Sequence, residues 1–233
     1  MVSPSGIGGS VDQCSVQVVN PIRSRDDEHM ISWRAPSPSQ MDRFVRKCSA
    51  TGFNTPLGLT NGAAPARWFV DDVDAILGVG PEAFAAASDA MRSWAEMDLP
   101  WFRVHRPESI PLEPGVVVAY AIRVAGLWMP FACRIVSVTD ETGPDGSRRF
   151  GFVYATIGSH AAQGEERFLV TFNPRSGEVH GSIRAVSRPA RWFVWIGLPV
   201  ARRAQRLFKP EALAALAASV RQRLAQDRST RPR

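Results

Sequence analysis

A histidine and two adjacent glutamates form the group of residues best suited to chemistry. His160 is followed closely by Glu165 and Glu166. Histidine titrates near neutral pH, and a neighbouring carboxylate can orient its ring and raise its pKa, as general acid–base catalysis requires. The glycine-bounded segment 158–164 would present the ring at a cavity mouth. The spacing predicts an acid–base site. The alternative is that Glu165 begins a strand and pairs with an arginine, while His160 lies on a hydrated hairpin loop.

Two arginines interrupt otherwise apolar strand patterns. Arg123 and Arg134 would bind a carboxylate or enolate oxygen if they faced an apolar pocket, because a guanidinium donates two parallel hydrogen bonds. If they faced outward, they would be ordinary surface residues. Strand alternation does not decide between these orientations, because both faces of the two strands are largely apolar.

Further candidates to contact a ligand are hydroxyl-bearing, aromatic or histidine side chains. Tyr120, Tyr154 and Thr156 offer hydroxyl donors, although buried hydroxyls usually find a partner within the protein. Trp94 ends a helical apolar stripe and is a candidate to line the pocket. His105 would line a cavity entrance, or be exposed next to an arginine and a proline.

Several more specific kinds of site have no support in the sequence. Three scattered cysteines and four separated histidines give no metal-ligand spacing. No nucleophile elbow, P-loop or dinucleotide-binding glycine motif is present. We therefore predict neither a metal nor a cofactor, and we expect any catalysis to depend on side chains alone.

The first part of the chain predicts helix, strand and helix in turn. Ser37, Pro38 and Gln40 form a capping box with proline at the first helical position. Residues 67–76 are predicted to form a strand, although three aspartates weaken the pattern. Pro81 opens a second helix.

The remainder predicts a run of strands followed by a long helix. Short turn-rich connections favour an antiparallel meander. The C-terminal helix carries an apolar stripe on either side of Pro210, which we expect to kink or restart it. The predicted strands span residues 101–105, 116–124, 131–139, 150–157, 167–172 and 178–187.

These elements predict an α+β helix-grip fold, in which a curved antiparallel sheet wraps around a long C-terminal helix and leaves an apolar cavity. The predicted organisation is a flexible N-terminal leader over residues 1–30, a single domain over 31–226, and a disordered basic tail over 227–233.

The net charge of +6 comes entirely from the end of the chain, where residues 184–233 hold 12 basic and 2 acidic residues. Tryptophans and arginines mixed over residues 184–203 are compatible with peripheral contact to an anionic membrane. A solvated helix face with a buried aromatic stripe is the simpler interpretation. The acidic remainder of the chain argues against nucleic-acid binding.

Unpaired cysteines and the absence of a signal peptide or an apolar run long enough to span a bilayer predict a cytoplasmic protein.

Several stretches resemble the domain-of-unknown-function family numbered 1990, also called UPF0548-like. The resemblance covers about residues 33–208, and it implies membership of the START-like, birch-pollen-allergen-like superfamily. That superfamily implies a helix-grip fold and includes lipid carriers, plant hormone receptors and aromatic polyketide cyclases. The matching segments are Gly151 to Thr156, His160, Gly164 to Phe168, Gly78 to Gly80 with Phe84 and Trp94, Ala132 to Val136, and Ser187 to Pro189.

Two functional hypotheses follow. The first is an enzyme that folds an apolar substrate and moves a proton in a polyketide-like cyclisation, dehydration or isomerisation. In it, His160 and a glutamate act as acid and base, while an arginine stabilises an oxyanion. The second is a non-catalytic carrier or sensor of a lipid or apolar metabolite. The identity of the ligand and the oligomeric state stay open.

Overall fold

The computed structural model describes residues 31–105, 110–190 and 198–230, with side chains described from 206 to 229 in the last of these ranges. The elements of this part of the chain, in order, are α1 (Pro38–Ser49), β1 (Phe69–Val79), α2 (Pro81–Arg92), β2 (Phe102–Val104), β3 (Val117–Val124), β4 (Leu127–Thr142), β5 (Arg148–Thr156), β6 (Ala162–Phe172), β7 (Glu178–Pro189) and α3 (Leu198–Thr230).

The first helix begins where the sequence predicts. The Ser37 side chain accepts a hydrogen bond from the Gln40 backbone N–H, and the Gln40 side chain accepts one from the Ser37 N–H. Pro38 occupies the first helical turn, where its missing N–H has no partner to lose. The predicted capping box is confirmed.

The seven strands form one curled antiparallel sheet in the order β1-β7-β6-β5-β4-β3-β2. Strands β2 to β7 are a meander, and β1 pairs with β7 at the far edge. Helices α2 and α3 pack on one face of this sheet. The curved antiparallel sheet and long C-terminal helix of the predicted helix-grip fold are confirmed.

Both faces of the sheet are covered, and this explains why strand alternation left their orientation open. The concave face, towards α2 and α3, carries the large aromatic side chains of the core. The opposite, convex face of β3 and β4 packs against α1, and the same face of β6 and β7 packs against residues 58–62. Apolar residues are therefore buried on both sides of several strands.

Two strands, β4 and β6, begin four and five residues earlier than the sequence predicts. Strand β4 begins at Leu127 because Ala125 and Gly126 both have positive φ (51° and 84°), which closes a tight hairpin with β3. Strand β6 begins at Ala162, so the last three residues of the predicted loop over 158–164 belong to the strand. This second difference decides where the two glutamates point.

Aromatic rings fill much of the space between the sheet and the helices. Phe152 stacks on Phe168 with ring centroids 4.9 Å apart, and Trp94 lies 5.1 Å from Phe152. Phe102 stacks between Tyr120 at 4.8 Å and Phe208 of α3 at 5.1 Å. Packing of this density contributes dispersion contacts and buries a large apolar area.

Helix α3 continues unbroken through Pro210. Its apolar stripe includes Leu213, Leu216 and Val220, all buried. The helix reaches Thr230, beyond residue 226, where we predicted the ordered domain to end. Among the described helices, none has a stretch long and apolar enough to cross a membrane.

Candidate functional site

Strand register places three polar side chains in one row across the concave face. Tyr154 of β5 lies directly opposite Glu166 of β6, and Glu166 lies opposite Ala185 of β7. Ala185 in turn pairs with Asp71 of β1. Since directly opposite residues of antiparallel strands point to the same face, Tyr154, Glu166 and Asp71 share the side on which α3 packs.

Helix α3 contributes a cation to this row. The Lys209 Nζ atom lies 3.4 Å from Asp71 Oδ2 and 3.8 Å from Glu166 Oε1. The Tyr154 hydroxyl donates a 2.6 Å hydrogen bond to Glu166 Oε2. We call Asp71, Tyr154, Glu166 and Lys209 the concave-face cluster.

The concave-face cluster is deeply buried but not sealed. The Lys209 side chain is 4% exposed, whereas those of Asp71 and Glu166 keep 15% and 14% of their surface exposed. Burial raises the pKa of Glu166 above its ordinary value, and the Lys209 cation and the Tyr154 hydrogen bond oppose that shift. Burial likewise raises the pKa of Tyr154 well above 10, so its hydroxyl stays protonated.

His160 belongs to a second polar group on the same face. The Ala162 N–H donates to Nδ1 (3.0 Å), so we assign the ring hydrogen to Nε2, which donates to the Tyr120 hydroxyl oxygen at 3.3 Å. The Tyr120 hydroxyl then points to Cys133 Sγ at 3.7 Å. Phe131 packs against the imidazole at 4.7 Å.

The pKa of His160 shifts opposite to the sequence-based expectation. Burial lowers it to about 4, so the ring is neutral at pH 7. The expected upward shift depended on a neighbouring carboxylate, whereas the polar partners of this ring are Tyr120 and the backbone of Ala162. The cause is β6, which begins at Ala162 and fixes both glutamates in an extended strand.

Glu165 points away from the concave-face cluster, because successive strand residues face opposite sides. Its carboxylate accepts hydrogen bonds from the backbone N–H groups of Gly58 (2.8 Å) and Thr60 (3.1 Å). The residue is 2% exposed. Glu165 therefore anchors the loop that covers the convex face, whereas its neighbour Glu166 lies in the concave-face cluster.

The two candidate arginines lie on the convex face as well. Arg123 is exposed, and its strand presents Tyr120 and Ile122 to the core instead. The guanidinium of Arg134 donates to the Ser49 carbonyl at 2.9 Å, the end of α1, and lies over the ring of Phe53. A cation at this position also complements the negative end of the helix dipole.

The other candidates make specific contacts within the protein. Thr156 donates to the Asn54 side chain and accepts from the Gly164 N–H at 3.0 Å. His105 Nε2 lies 2.8 Å from Asp42 Oδ1 on α1.

Trp94 is 1% exposed and donates its indole N–H to the Ile110 carbonyl. It has left α2, which ends at Arg92, and adopts a left-handed backbone conformation. It is therefore a packed core residue, and its ring contacts Phe152.

Sequence reasoning missed two members of the concave-face cluster, although each had a signal. Lys209 lies four residues before Leu213 and so falls on the apolar stripe of α3. Asp71 alternates with Val73 and Ala75, which pack against the core. In both cases a charged residue occupies an apolar position of a periodic pattern, which indicates a buried ion pair or a functional group.

A cleft of about 480 Å³ lies beside the edge strand β2. Because it is lined by residues 97–100 and 102–104, it is an edge feature and differs from the predicted cavity between the sheet and α3. Within the described ranges, no group of three or more His, Cys, Asp or Glu residues could hold a metal ion.

The tryptophan-rich residues 191–197, on which the predicted membrane contact depends, lie outside the described part of the chain.

A curled antiparallel sheet with a C-terminal helix on its concave face, and with charged groups between them, defines a helix-grip protein of the α+β class. The chain belongs to the family described as "Domain of unknown function (DUF1990)", whose model matches residues 54–215.

Relatives of similar length occur in distant organisms. A UPF0548 protein of Dictyostelium discoideum is 29% identical over 196 residues, which cover 77% of this chain and 90% of the relative. A UPF0548 protein of Deinococcus radiodurans is 29% identical over 194 residues, which cover 76% of this chain and 92% of the relative.

Likenesses to solved structures are weak. Hypothetical protein jhp0584 from Helicobacter pylori has a TM-score of 0.43 and 9% identity, over 69% of this chain and 91% of its own. Ara h 8.0201 has a TM-score of 0.39 and 12% identity, over 66% of this chain and 99% of its own. The fold is therefore defined by the strand order and helix packing of this structure.

Proposed function

We propose that the chain binds a small, largely apolar molecule between the concave face of the sheet and α3, with the polar end of that molecule against the concave-face cluster. The apolar part would lie along the aromatic side chains of β3 and β4, where Tyr120 and Phe131 are only partly buried. His160 would contribute to the wall beside them through its contact with the Phe131 ring.

The observation that carries the proposal is the position of the charged groups. Burying a charge is expensive, and ion pairs in protein interiors are weak contributors to stability. Two carboxylates and one ammonium nevertheless lie between the sheet and α3, beside a core of aromatic residues. Titratable groups that are perturbed by burial and by a specific charged partner cluster at functional sites.

Native mass spectrometry of the purified protein, followed by extraction and identification of bound molecules, tests the proposal. We expect an apolar molecule to be retained by the unaltered chain and lost from Glu166→Gln. The Asp72→Asn variant is the matched control, since Asp72 follows Asp71 on β1 but pairs with Arg184 at the protein surface. Equal retention by both variants, or no binding after incubation with lipid and polyketide mixtures, would overturn it.

Acid–base catalysis at the same site is the second candidate function. A carboxyl group whose pKa is raised by burial, and which accepts a hydrogen bond from a buried tyrosine, is suited to proton transfer nearer neutral pH. Glu166 would transfer the proton, and the hydrogen bond from Tyr154 would hold the Glu166 carboxyl group in position. The reactions that fit are cyclisation, dehydration or isomerisation of the apolar molecule.

One comparison separates a catalyst from a carrier. If the protein is an enzyme, Tyr154→Phe should bind the substrate and leave it unchanged, while the unaltered chain converts it to a product of different structure. If it is a carrier, both proteins should release the molecule unaltered. Liquid chromatography with mass spectrometry on the released molecule decides between them, since it separates isomers of equal mass.

A further inference from the structure

Two arginines lie directly opposite each other on the convex face of the sheet. Arg167 of β6 pairs in register with Arg184 of β7. Arg167 lies two residues from Glu165 along β6 and therefore shares its face. Opposite residues of antiparallel strands have Cβ atoms about 5 Å apart, and like charges at such positions are destabilising. The fold thus brings two guanidinium groups together at a cost that a bound anion would offset.

Only one of these two arginines has a counterion within the described part of the chain. Arg184 donates hydrogen bonds to Asp72 Oδ2 at 2.6 Å and to the Gly62 carbonyl at 3.0 Å. Arg167 forms no ion pair with a described residue, and its Nε atom is buried without a hydrogen-bond acceptor. A buried N–H group without an acceptor costs free energy, and such groups are rare in folded proteins.

The side chains beside Arg167 do not supply the missing acceptor. The carboxylate of Glu165 is already hydrogen-bonded to backbone N–H groups of the loop that covers the convex face. On the other side, in β5, the residue opposite Arg167 is the apolar Val153. Arg167 and Val153 are both only partly buried, so this part of the convex face is open to solvent.

We propose that Arg167 and Arg184 form a binding site for a phosphate group, carried either by inorganic phosphate or by a phosphate ester. A guanidinium group binds phosphate oxygens through two parallel hydrogen bonds. A phosphate group has nearly two negative charges near neutral pH and several acceptor oxygens, so it matches two guanidinium groups better than a carboxylate does. The site lies on the opposite side of the sheet from the concave-face cluster and does not depend on the function proposed there.

Isothermal titration calorimetry of the purified full-length protein with inorganic phosphate, at pH 7 and constant ionic strength, tests this site. Arg167→Gln should weaken phosphate binding at least about tenfold, because it removes both a charge and a bidentate donor. Asp72→Asn should instead strengthen binding, since Arg184 then loses its competing carboxylate. Arg149→Gln is the matched control: Arg149 is an exposed arginine on the same face of β5, and its loss should change the affinity by less than about twofold.

Two further titrations define the ligand. Acetate should bind at least about tenfold more weakly than phosphate, because it brings one charge to two guanidinium groups. Phenyl phosphate distinguishes the two sources of the phosphate group: tighter binding than that of inorganic phosphate indicates an ester, and otherwise the free ion is the ligand.

Urea denaturation in phosphate-free buffer separates a binding role of Arg167 from a structural one. Arg167→Gln should unfold at the same or a higher urea concentration than the unaltered chain, because the substitution removes a like charge beside Arg184. Added phosphate should then raise the midpoint of the unaltered chain and not that of the variant. The proposal is wrong if phosphate does not bind, if acetate binds as tightly, if Arg167→Gln and Arg149→Gln bind phosphate equally well, or if Arg167→Gln is clearly less stable without phosphate.

Discussion

The two faces of the sheet satisfy their polar groups in different ways. On the convex face, Glu165 and Arg134 bond to backbone atoms of the N-terminal loop and of α1. On the concave face, Tyr154, Glu166 and Lys209 satisfy one another through side chains. Bonds to a fixed backbone hold a covering segment in place, whereas bonds between side chains can be exchanged for bonds to a ligand.

Adjacent residues make this comparison testable. Glu165 and Glu166 have the same chemistry and differ by one position in β6, yet strand alternation sends them to opposite faces. We expect the stability of the fold to depend on Glu165 and the retention of a ligand to depend on Glu166.

Glu165→Ala should cause the largest loss of stability. The substitution removes a buried carboxylate and leaves the N–H groups of Gly58 and buried Thr60 without their charged acceptor, so we expect the free energy of unfolding to fall by roughly 3–5 kcal/mol. Urea denaturation, monitored by tryptophan fluorescence, measures this change in the free energy of unfolding. Glu141→Ala removes an exposed glutamate and should change the free energy by less than about 0.5 kcal/mol. Similar values for both variants would contradict the anchoring role.

His160 should make stability depend on pH on the acidic side. Its pKa in the folded chain, about 4, lies below the ordinary 6.5, so the unfolded chain binds more protons between these values. The free energy of unfolding should therefore fall by about 3 kcal/mol as the pH falls from 6.5 to 4.

His160→Gln should remove this slope in urea titrations across that pH range. The control is His180→Gln, because the His180 side chain is 37% exposed and lies beside Glu178. A pH profile unchanged by His160→Gln, or flattened equally by both substitutions, would show that His160 is not held in its neutral form.

Glu166→Gln should reduce ligand affinity at least about tenfold, equivalent to about 1.4 kcal/mol. Its effect on the free energy of unfolding at neutral pH should be smaller than that of Glu165→Ala, because Asp71 still pairs with Lys209. The folded chain holds the Glu166 proton more tightly than the unfolded chain, so ionisation of this group lowers stability as the pH rises above its ordinary value. The variant should lack that decrease in urea titrations from pH 4.5 upwards. A large loss of stability instead would assign Glu166 to the structural side of the comparison.

Arg134→Ala and Arg123→Ala should have the smallest effects. The Arg134 guanidinium supports the end of α1, so its loss should cost about 1 kcal/mol, whereas exposed Arg123 should cost less than about 0.5 kcal/mol. Neither substitution should change ligand retention measured by native mass spectrometry. A loss of ligand in either variant would bring the convex face into the binding site.

The sequence predicted elements whose determinants are local. The Ser37 capping box, the proline that opens α2 and the turn residues between strands act over a few positions, and the structure confirms them. The predicted ends of the strands were less accurate where hydrogen bonding to a neighbouring strand extends a strand beyond its apolar run, as at Ala162 in β6. That error left Glu165 and Glu166 between the predicted loop over 158–164 and the predicted strand over 167–172, so their opposite orientations were not predicted.

The sequence by itself determined the helix-grip class, because alternation, turn chemistry and a long amphipathic C-terminal helix have few compact solutions. The sequence also contained Asp71 and Lys209, two charged residues that occupy apolar positions of periodic patterns. Only the tertiary structure decided that these two residues meet Glu166, since the contact joins β1, β6 and α3 through strand register and helix packing. Periodicity assigns a residue to a face of its own element; which charge lies opposite depends on how distant elements pack.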